Sequence, residues 1–440
     1  MNLQAYDVAV LGAGAAGLAA ACSLVERGLR VVLIEARERV GGRIHTRQVV
    51  AADGQAFPVE LGAEFIHGLP EQSWTLIGAA GLATAEVAGS RLECRPDGLR
   101  EAEDGAFAVL DDMVQWWSRQ PLGGDATFAQ FLEAARIPDG LRSRAAAFVE
   151  GFNAADCNVV SVAALARQQN AEDAISGDRN FRVRAGYAAL PAWLSRQFTL
   201  AGGELRLGTH IRHVAWRPGE VVLRGEVGGQ RAVEIHARRA ILTLPLGVLQ
   251  SGEIRIDPQP AAVTMARSMV MGMARRITLQ FKRRFWLDDV RRALPAGAAG
   301  MSVLFTPGEL LRTWWTPEPL TWPLLTAWVG GPRVCDLPQQ LEQCCIDILA
   351  RCLRRSGAEI ATLLEAAHSH DWQQDALTRG AYSYVPVGAI GVSAALAQPI
   401  EGTLFFAGEH TDTTGHWGTV HGALASGRAA AQRSAVSRDK

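Results

Sequence analysis

The sequence lacks any marked excess of charge and any cysteine framework. Lys and Arg number 44 against 45 Asp and Glu, which gives a formal net charge of -1. No global field therefore attracts polyanions, and we expect neither a nucleic-acid partner nor an anionic membrane surface. The seven cysteines are odd in number and contain no C-x-x-C pair. This pattern indicates neither a disulfide framework nor a zinc site, so we expect no metal and the reduced thiols of a cytoplasmic protein.

Long apolar runs are also missing. Charged residues or glycines interrupt every apolar segment well before the roughly 18 residues that suggest a membrane span, and no basic leader with a cleavage site precedes YDVAVLGAG. Hydrophobic residues make up 48% and charged residues 20% of the chain, a globular composition. At 440 residues the chain has the length of about two to three structural units.

A glycine cluster stands near the start, in VAVLGAGAAGLAAACSLVERG. Residues 8–11 predict a short buried strand and residues 18–27 a helix, so GAGAAG lies on a strand-to-helix turn. Gly12 permits the tight turn, Gly14 lets a pyrophosphate approach the backbone, and Gly17 allows the helix to pack closely on the strand. The helix N-terminus offers unpaired N–H groups to phosphates.

A second strand is predicted at residues 31–34, and Glu35 follows it at the position of a ribose-binding carboxylate. Strand, helix, strand and acid together predict adenine dinucleotide binding, although they do not separate NAD from FAD. The continuation EARERVGGRIHT does so by resemblance, because it is similar to FAD-binding oxidoreductases of the glutathione reductase type. In those proteins a second glycine pair and an arginine, here Gly41, Gly42 and Arg43, approach the diphosphate and the flavin.

Four further motifs extend the resemblance over nearly the whole chain: VELGAEFIHG (59–68), ILTLPLGVL (241–249), RGAYSYVPVG (379–388) and the segment 404–427, LFFAGEHTDTTGHWGTVHGALASG. With them the chain resembles the flavin-containing amine oxidases, which include monoamine, polyamine and L-amino-acid oxidases and the lysine-specific histone demethylases. The nuclear demethylases carry a histone-binding domain and a helical tower that do not fit into this chain, so a chromatin role is not expected.

The resemblance implies an α/β fold with two discontinuous domains. The FAD-binding domain would comprise residues 1–85, 203–262 and 388–440, and a substrate domain of α+β character would comprise residues 86–202 and 263–387. Residues 107–169 show helical spacing and would form the lid side of the substrate domain. Some relatives attach FAD through a cysteine, but Gly380 and Ala381 occupy that segment here, so noncovalent FAD is expected.

The pattern near the C-terminus predicts a strand at 404–406, a turn at Gly408 and Glu409, and a helix over 419–431, whose N-terminus favours an anionic reduced flavin. Residues 204–223 and 233–241 alternate like strands, with Val214 where relatives use backbone atoms for the adenine end. The FAD-binding residues implied by the resemblance are Gly12, Gly14, Ala15, Gly17, Glu35, Ala36, Arg37, Gly41, Gly42, Arg43, Gly62, Ala63, Glu64, Phe65, Val214, Trp372, Gly408, Glu409, Thr419 and Val420.

An arginine stands where most relatives have a lysine that holds a water against flavin N5. Counting back about ten residues from the Phe-Trp pair of MARRITLQFKRRFW leads to Arg276. Strand alternation places Arg276 with Thr278 and Gln280 on a polar face. Arginine is always charged and binds carboxylates with two prongs. Arg276 could thus hold the same water, bind an acidic substrate, slow the reaction with oxygen, or form only a surface ion pair; Lys282 is a second, less well placed candidate.

Five further residues are candidates for contact with the substrate. By resemblance Tyr382 forms one aromatic wall, while Thr419 occupies the position of the second wall, as in polyamine oxidases and demethylases. Trp417 either closes the resulting gap or packs in the core. Glu64 and His67 could recognise a cationic amine, since a carboxylate in a low-dielectric pocket attracts ammonium; the alternative for both is an internal hydrogen bond.

These expectations define an FAD-dependent oxidase of small primary or secondary amines. The neutral amine would lose a hydride from its α-carbon to flavin N5, the imine would hydrolyse to an aldehyde, and oxygen would reoxidise the flavin to give hydrogen peroxide. The alternatives are a dehydrogenase or desaturase acting on an amino-acid or carbon–carbon substrate, and a noncatalytic relative that binds FAD. The oligomeric state is open, with a homodimer compatible with the sequence.

Overall fold

The computed structural model describes residues 6–51, 54–103, 105–121, 124–294 and 300–436. The expectation that no leader precedes the first strand concerns residues 1–5, which lie outside these ranges. The strands are β1 (Tyr6–Leu11), β2 (Val31–Ile34), β3 (Thr46–Val50), β4 (Ala56–Glu60), β5 (Ile66–His67), β6 (Thr84–Glu86), β7 (Ser90–Arg95), β8 (Gly98–Glu101), β9 (Asn180–Val183), β10 (Glu204–Arg206), β11 (Thr209–Arg217), β12 (Glu220–Val227), β13 (Arg231–Leu242), β14 (Arg255–Asp257), β15 (Val270–Met271), β16 (Ala274–Phe281), β17 (Met301–Phe305), β18 (Thr313–Trp315), β19 (Leu324–Gly330), β20 (Leu364–His368), β21 (Ser383–Tyr384) and β22 (Leu404–Phe406).

The helices are α1 (Ala15–Val25), α2 (Glu71–Ala79), α3 (Gly105–Ser118), α4 (Phe128–Ala134), α5 (Asp139–Asn153), α6 (Val162–Ala174), α7 (Ala189–Leu200), α8 (Leu246–Ser251), α9 (Ala261–Met265), α10 (Leu287–Ala293), α11 (Leu341–Leu353), α12 (Gly357–Leu363), α13 (Val392–Leu396) and α14 (Val420–Val436). Short 3-10 turns lie at Ala266–Ser268, Gly331–Asp336 and Glu409–Thr411.

A parallel sheet carries the first glycine cluster. Its strands lie in the order β10, β2, β1, β13 and β22, and every neighbouring pair is parallel. The first half of the long strand β13 instead pairs antiparallel with β12, which continues the sheet to β11 and β14. Parallel strands buried on both faces read as continuous apolar runs, and the fully buried VVLI of β2 has this form.

The helices α1 and α14 cover one face of the parallel sheet and pack closely against each other. Small residues make this contact possible, because a Cβ atom at Gly427 of α14 would lie 2.1 Å from the backbone oxygen of Ala16 in α1. The first and the last described helix of the chain, α1 and α14, therefore form one layer over the parallel sheet.

A second sheet has the order β20, β16, β19, β18, β17, β7 and β8 and is mostly antiparallel. Its core face includes Ile277, Leu279 and Phe281 of β16, which belong to one apolar cluster with residues of α11 and α12. The helices α3 to α6 form a separate apolar cluster beside this sheet, with α5 against β19. The two sheets draw on the segments assigned to the two domains, while the domain boundaries stay a prediction.

The α/β class is confirmed, and so are the strands at 8–11, 31–34 and 404–406, the helix after the first glycine cluster and the helical segment 107–169. The C-terminal helix begins at Val420, one residue later than predicted, and runs on to Val436. Among the described residues there is no helix whose length and apolarity would let it span a bilayer.

Candidate active site

A cavity of about 1400 Å³ lies between the two sheets and is lined by residues of both. Single small-molecule sites usually measure about 300–1,000 Å³, so this cavity has room for a dinucleotide together with a substrate. All the predicted FAD-binding residues except Gly17 and Val214 line it, and so do the predicted substrate residues Arg276, Tyr382, Thr419, Trp417, Glu64 and His67.

The glycines of the first cluster hold a tight turn beside the cavity. Gly12 has φ +104°, which favours glycine, and its N–H donates to the Ile34 oxygen at 2.7 Å. A Cβ atom at Gly17 would lie only 1.8 Å from the Gly12 oxygen. Gly17 therefore serves the packing of helix on strand and is not among the residues that line the cavity, so the structure does not support its place among the FAD-binding residues. Gly14, by contrast, has open space where a Cβ atom would stand and forms a bridge with Gly41.

Glu35 is fixed at the end of β2 by two backbone donors. Its carboxylate accepts from the Ala13 N–H at 2.7 Å and from the Arg37 N–H at 2.9 Å. Burial raises the pKa of this carboxyl, against the effect of these hydrogen bonds. Ala36 and Arg37 also line the cavity, but the Arg37 guanidinium already donates to Asp375 at 2.8 Å and to Thr378 at 2.9 Å. The arrangement suits a ribose whose hydroxyl donates to Glu35.

The prediction for Val214 is wrong. Val214 is fully buried in the apolar cluster beneath the sheet and does not line the cavity. Residues 209–212 of β11 form the wall instead. The register of β11 shifts between Ile211 and His213, and such a bulge reverses the faces that simple alternation predicts.

Glu409 links three segments of the cavity wall. Its carboxylate accepts from Arg43 at 2.8 Å, from the Ser383 hydroxyl at 2.6 Å and from the Gly418 N–H at 3.0 Å. The hydroxyl of Thr419 accepts from the Gly422 N–H at 3.0 Å and so caps α14. Because Thr419 and Val420 line the cavity, the N-terminus of this helix is available to an anionic group.

Trp372 forms part of the same wall. Its indole N–H donates to the Leu61 oxygen at 2.8 Å, and a Cβ atom at Gly62 would lie 3.1 Å from its ring. The backbone that follows β4 therefore lies close to the cavity at Gly62 and Ala63, because these residues place little side-chain volume in between.

Arg276 belongs to a buried ionic cluster, so the surface ion pair considered from the sequence is wrong. The residue is only 6% exposed. Its guanidinium forms an ion pair with Glu64 and donates to the Gly62 oxygen at 3.0 Å. Glu64 also accepts from Arg182 at 2.6 Å and from the Trp315 indole at 3.0 Å. Lys282 lies elsewhere, with its ammonium group donating to the Thr362 oxygen at 2.8 Å.

The cluster changes the interpretation of Glu64. Burial by itself would raise its pKa, but the charges of Arg276 and Arg182 outweigh burial and lower the pKa to about 2. The carboxylate is therefore ionised and already neutralised, so its surroundings do not support the predicted attraction of an ammonium group. Arg182 and Trp315 were not found from the sequence, because nothing local distinguishes them from other residues on short strands.

Aromatic rings line the cavity near this cluster, and their polar atoms bond to the protein. The Tyr382 hydroxyl donates to the Phe152 oxygen at 2.7 Å, and the Trp328 indole donates to the Gly151 oxygen at 2.8 Å. The Trp417 indole donates to the Ser393 hydroxyl at 2.9 Å, so Trp417 both packs in the core and lines the cavity. The rings thus present apolar faces to a ligand.

His67 lines the cavity beside Phe65 and Phe152, at ring-centroid distances of 6.1 and 5.6 Å. Burial lowers its pKa, so the ring is neutral at pH 7. A neutral imidazole does not itself attract or repel a cationic amine. None of the seven cysteines is among the residues described as lining the cavity.

Comparisons with known proteins agree with this site. Residues 118–434 match the flavin containing amine oxidoreductase family, and residues 10–77 match the NAD(P)-binding Rossmann-like domain. Polyamine oxidase 3 of Oryza sativa subsp. japonica is 27% identical over 96% of this chain and 88% of its own length. Lysine-specific histone demethylase 1 homolog 2 of Arabidopsis thaliana is 26% identical over 96% of this chain but only 57% of its own length.

Solved structures share the fold at low sequence identity. Putrescine oxidase bound to putrescine superposes with a TM-score of 0.80 at 21% identity, covering 98% of this chain and 99% of that one. Cyclohexylamine oxidase from Brevibacterium oxydans also has a TM-score of 0.80, at 20% identity, and covers 99% and 100% of the two chains.

The family match spans well over half of the chain, and the cavity offers the predicted cofactor residues without a cysteine for covalent attachment. The chain therefore belongs to the flavin containing amine oxidoreductase family and is an FAD-dependent amine-oxidising enzyme that holds its cofactor noncovalently.

Proposed function

We propose that this enzyme oxidises primary or secondary amines with an apolar body and passes the electrons to molecular oxygen, which yields hydrogen peroxide. The observation that supports this best is the pairing of an aromatic wall with a buried, net positive ionic cluster in one cavity. FAD, when bound, supplies the acceptor for the hydride that leaves the amine α-carbon.

The aromatic wall supports an apolar substrate body. Tyr382, Trp328 and Trp315 use their O–H or N–H groups on protein partners, so a polar substrate that displaced water from these faces would recover few hydrogen bonds. An alkyl or aryl group would instead gain roughly 25 cal/mol for each Å² of apolar surface removed from water. The wall therefore favours amines such as cyclohexylamine and short alkyl amines.

The ionic cluster supports binding of the neutral amine. Arg182 and Arg276 bring two guanidinium groups to the carboxylate of Glu64. Burial raises the pKa of the neighbouring Glu60 to about 7, so Glu60 is only partly ionised at pH 7 and part of the positive charge remains beside the cavity. A nearby positive charge disfavours the charged form of an ammonium group. Only the neutral amine can release a hydride readily, because its nitrogen lone pair stabilises the positive charge that develops on the α-carbon.

Arg276 has little capacity left for an acidic substrate. Its two terminal nitrogens already donate to Glu64 and to the Gly62 oxygen, whereas two-pronged carboxylate binding needs a free edge of the guanidinium. This weighs against the amino-acid substrate of the alternative hypothesis. Arg276 instead orients the carbonyl of Gly62 and holds the loop that carries Gly62 to Phe65 against the second sheet.

The test is an anaerobic titration of the purified holoenzyme, followed by the visible flavin spectrum. Putrescine, spermidine, cyclohexylamine, benzylamine and L-amino acids are added in turn. We expect cyclohexylamine or benzylamine to bleach the flavin, with a rate that rises with pH as the fraction of neutral amine rises. A spectrum that stays oxidised with every amine would refute amine oxidation as the function of this site.

A second measurement separates an oxidase from a dehydrogenase. The bleached enzyme is mixed either with oxygenated buffer or with an artificial one-electron acceptor, and recovery of the oxidised flavin spectrum is followed in both cases. Recovery with oxygen at a catalytically useful rate, accompanied by hydrogen peroxide, supports the oxidase. Recovery only with the artificial acceptor would favour the dehydrogenase alternative, for which the arginine at position 276 is the main argument.

A further inference from the structure

A cluster of two histidines and a carboxylate lies beside the cavity and takes no part in the proposed function. Glu172 is on α6, His416 lies in the loop before α14, and His421 lies in the first turn of α14. One ligand atom from each residue can be chosen so that all three lie within 4.8 Å of one another. His416 Nδ1 is 3.4 Å and His421 Nε2 is 3.8 Å from Glu172 Oε1.

The hydrogen bonding of the described residues leaves this cluster incomplete. Glu172 Oε2 and His421 Nε2 are both buried without a hydrogen-bond partner, and His421 is only 7% exposed. A buried polar atom without a partner costs roughly 1–3 kcal/mol, and native proteins keep few of them. Glu172 and His421 each carry such an atom and belong to one cluster of possible metal ligands, which suits a bound group with electron-accepting character.

The geometry fits a tetrahedral metal ion. Zinc binds histidine nitrogen and carboxylate oxygen at about 2.0–2.2 Å, which places neighbouring ligand atoms about 3.3–3.5 Å apart. The two separations measured from Glu172 Oε1 are close to this range. Two histidines and one glutamate are a ligand set of zinc sites that keep a further position open, whereas calcium and magnesium demand more oxygen ligands.

We propose that Glu172, His416 and His421 bind one divalent transition metal ion of the zinc type. Glu172 and His67 both line the cavity, so the fourth ligand, water or His67, comes from the cavity side. The ion ties α6 to the N-terminus of α14. Trp417, Gly418 and Thr419 lie between the two histidines in sequence and line the cavity, so the metal fixes this part of the wall.

The residues are far apart in sequence, with a separation of 244 residues from Glu172 to His416. The expectation that no metal is bound rested on the cysteine pattern, which carries no information about such a site.

The proposal does not depend on which amine is oxidised, and it would stand if the enzyme proved to be a dehydrogenase.

The test uses the holoenzyme after dialysis against EDTA and then against metal-free buffer. Cobalt(II) is added, and its d–d absorption is followed at wavelengths longer than the flavin bands. We expect saturation at one ion per chain, with the intense bands of a tetrahedral site, and displacement of cobalt by zinc. Absence of any saturable cobalt signal in the wild-type holoenzyme would overturn the proposal.

Variants then locate the ion. Glu172→Gln and His421→Gln should each weaken binding by at least about 100-fold, beyond the 10–100-fold effect of losing an outer-shell partner. His421→Cys should retain the ion and add a thiolate-to-cobalt band in the near ultraviolet, which only a direct ligand can produce. His236→Gln is the matched control, because His236 bonds to Glu234 on an exposed strand at 2.7 Å, and its stoichiometry should equal that of the wild type. Unchanged binding in both glutamine variants, or a cysteine variant without the new band, would also overturn the proposal.

Discussion

Replacing Glu64 by glutamine should strongly destabilise the folded protein, because Arg276 and Arg182 would be left buried without their counterion. The pKa of Glu64 is about 2 against a usual value of 4.5, and this difference corresponds to about 3 kcal/mol at 1.36 kcal/mol per pKa unit. Removal of one partner from a buried ion pair typically costs about 3–5 kcal/mol. Both estimates place the loss at roughly 3 kcal/mol or more at pH 7.

The pH dependence carries the sign of a lowered pKa. The stabilisation from ionised Glu64 is fully present above pH 4.5 and is lost as the pH falls from about 4.5 to about 2, because the wild-type carboxyl then takes up a proton. The difference between wild type and Glu64→Gln should therefore be constant between pH 6 and 8 and should shrink below pH 4.5.

The assay is urea unfolding with FAD in excess, followed by tryptophan fluorescence at several pH values. Glu86→Gln is the matched control, since Glu86 also pairs with an arginine, Arg179 at 2.8 Å, but on the exposed surface. Its free energy of unfolding should not change measurably. A Glu64→Gln variant as stable as Glu86→Gln at pH 7 would refute the reasoning about the buried cluster.

Three further variants test other parts of the structure. If Arg276 replaces the water-binding lysine of relatives, Arg276→Lys should accelerate the reoxidation of the reduced flavin by oxygen, measured by stopped flow. Arg275→Lys, on the opposite face of β16, should not change this rate. Equal rates in the wild type and both variants would count against that placement. Gly17→Ala should give no flavin-loaded protein, because the new Cβ atom would lie 1.8 Å from the Gly12 oxygen. Gly78→Ala should behave like the wild type, because the space around Gly78 is open. A normal flavin content in Gly17→Ala would contradict the packing argument. Burial raises the pKa of Glu60 to about 7, so the wild type should lose stability as the pH rises from 4.5 through 7. Glu60→Gln should raise the urea midpoint of unfolding at pH 8 and leave it unchanged at pH 4. An unchanged midpoint at both pH values would show that the hydrogen bonds from Tyr187 and Thr46 offset the cost of burying the carboxylate.

Local steric and periodic signals made part of the site predictable. Gly12 and Gly17 act within one turn, so their spacing alone reports the strand-to-helix geometry. The alternation along β16 likewise placed Arg276, Thr278 and Gln280 on the face opposite the apolar cluster of Ile277, Leu279 and Phe281. Both signals depend on neighbours in sequence, which is where sequence patterns carry information.

Long-range partners were not predictable. Glu64 lies 212 residues from Arg276, and neither its ion pair with Arg182 nor its hydrogen bond from Trp315 leaves a trace in local spacing. Val214 failed for a different reason. It was placed by resemblance to relatives, and the register shift in β11 between Ile211 and His213 changes which residues of this strand face the cavity. A placement on a strand therefore holds only as far as the strand stays regular.

The contact between α1 and α14 also constrains how the protein is made. The glycine cluster at the start of α1 is synthesised long before β22 and α14, but its sheet is completed only when β22 pairs with β13 and α14 packs on α1. At about 5–20 residues per second, the intervening chain takes roughly 20–80 s to synthesise. During this time the buried face of α1, which is rich in alanine and leucine, lacks its cover. A nascent chain cannot complete its cofactor site until α14 has been synthesised, and deletion of α14 alone should yield protein without flavin.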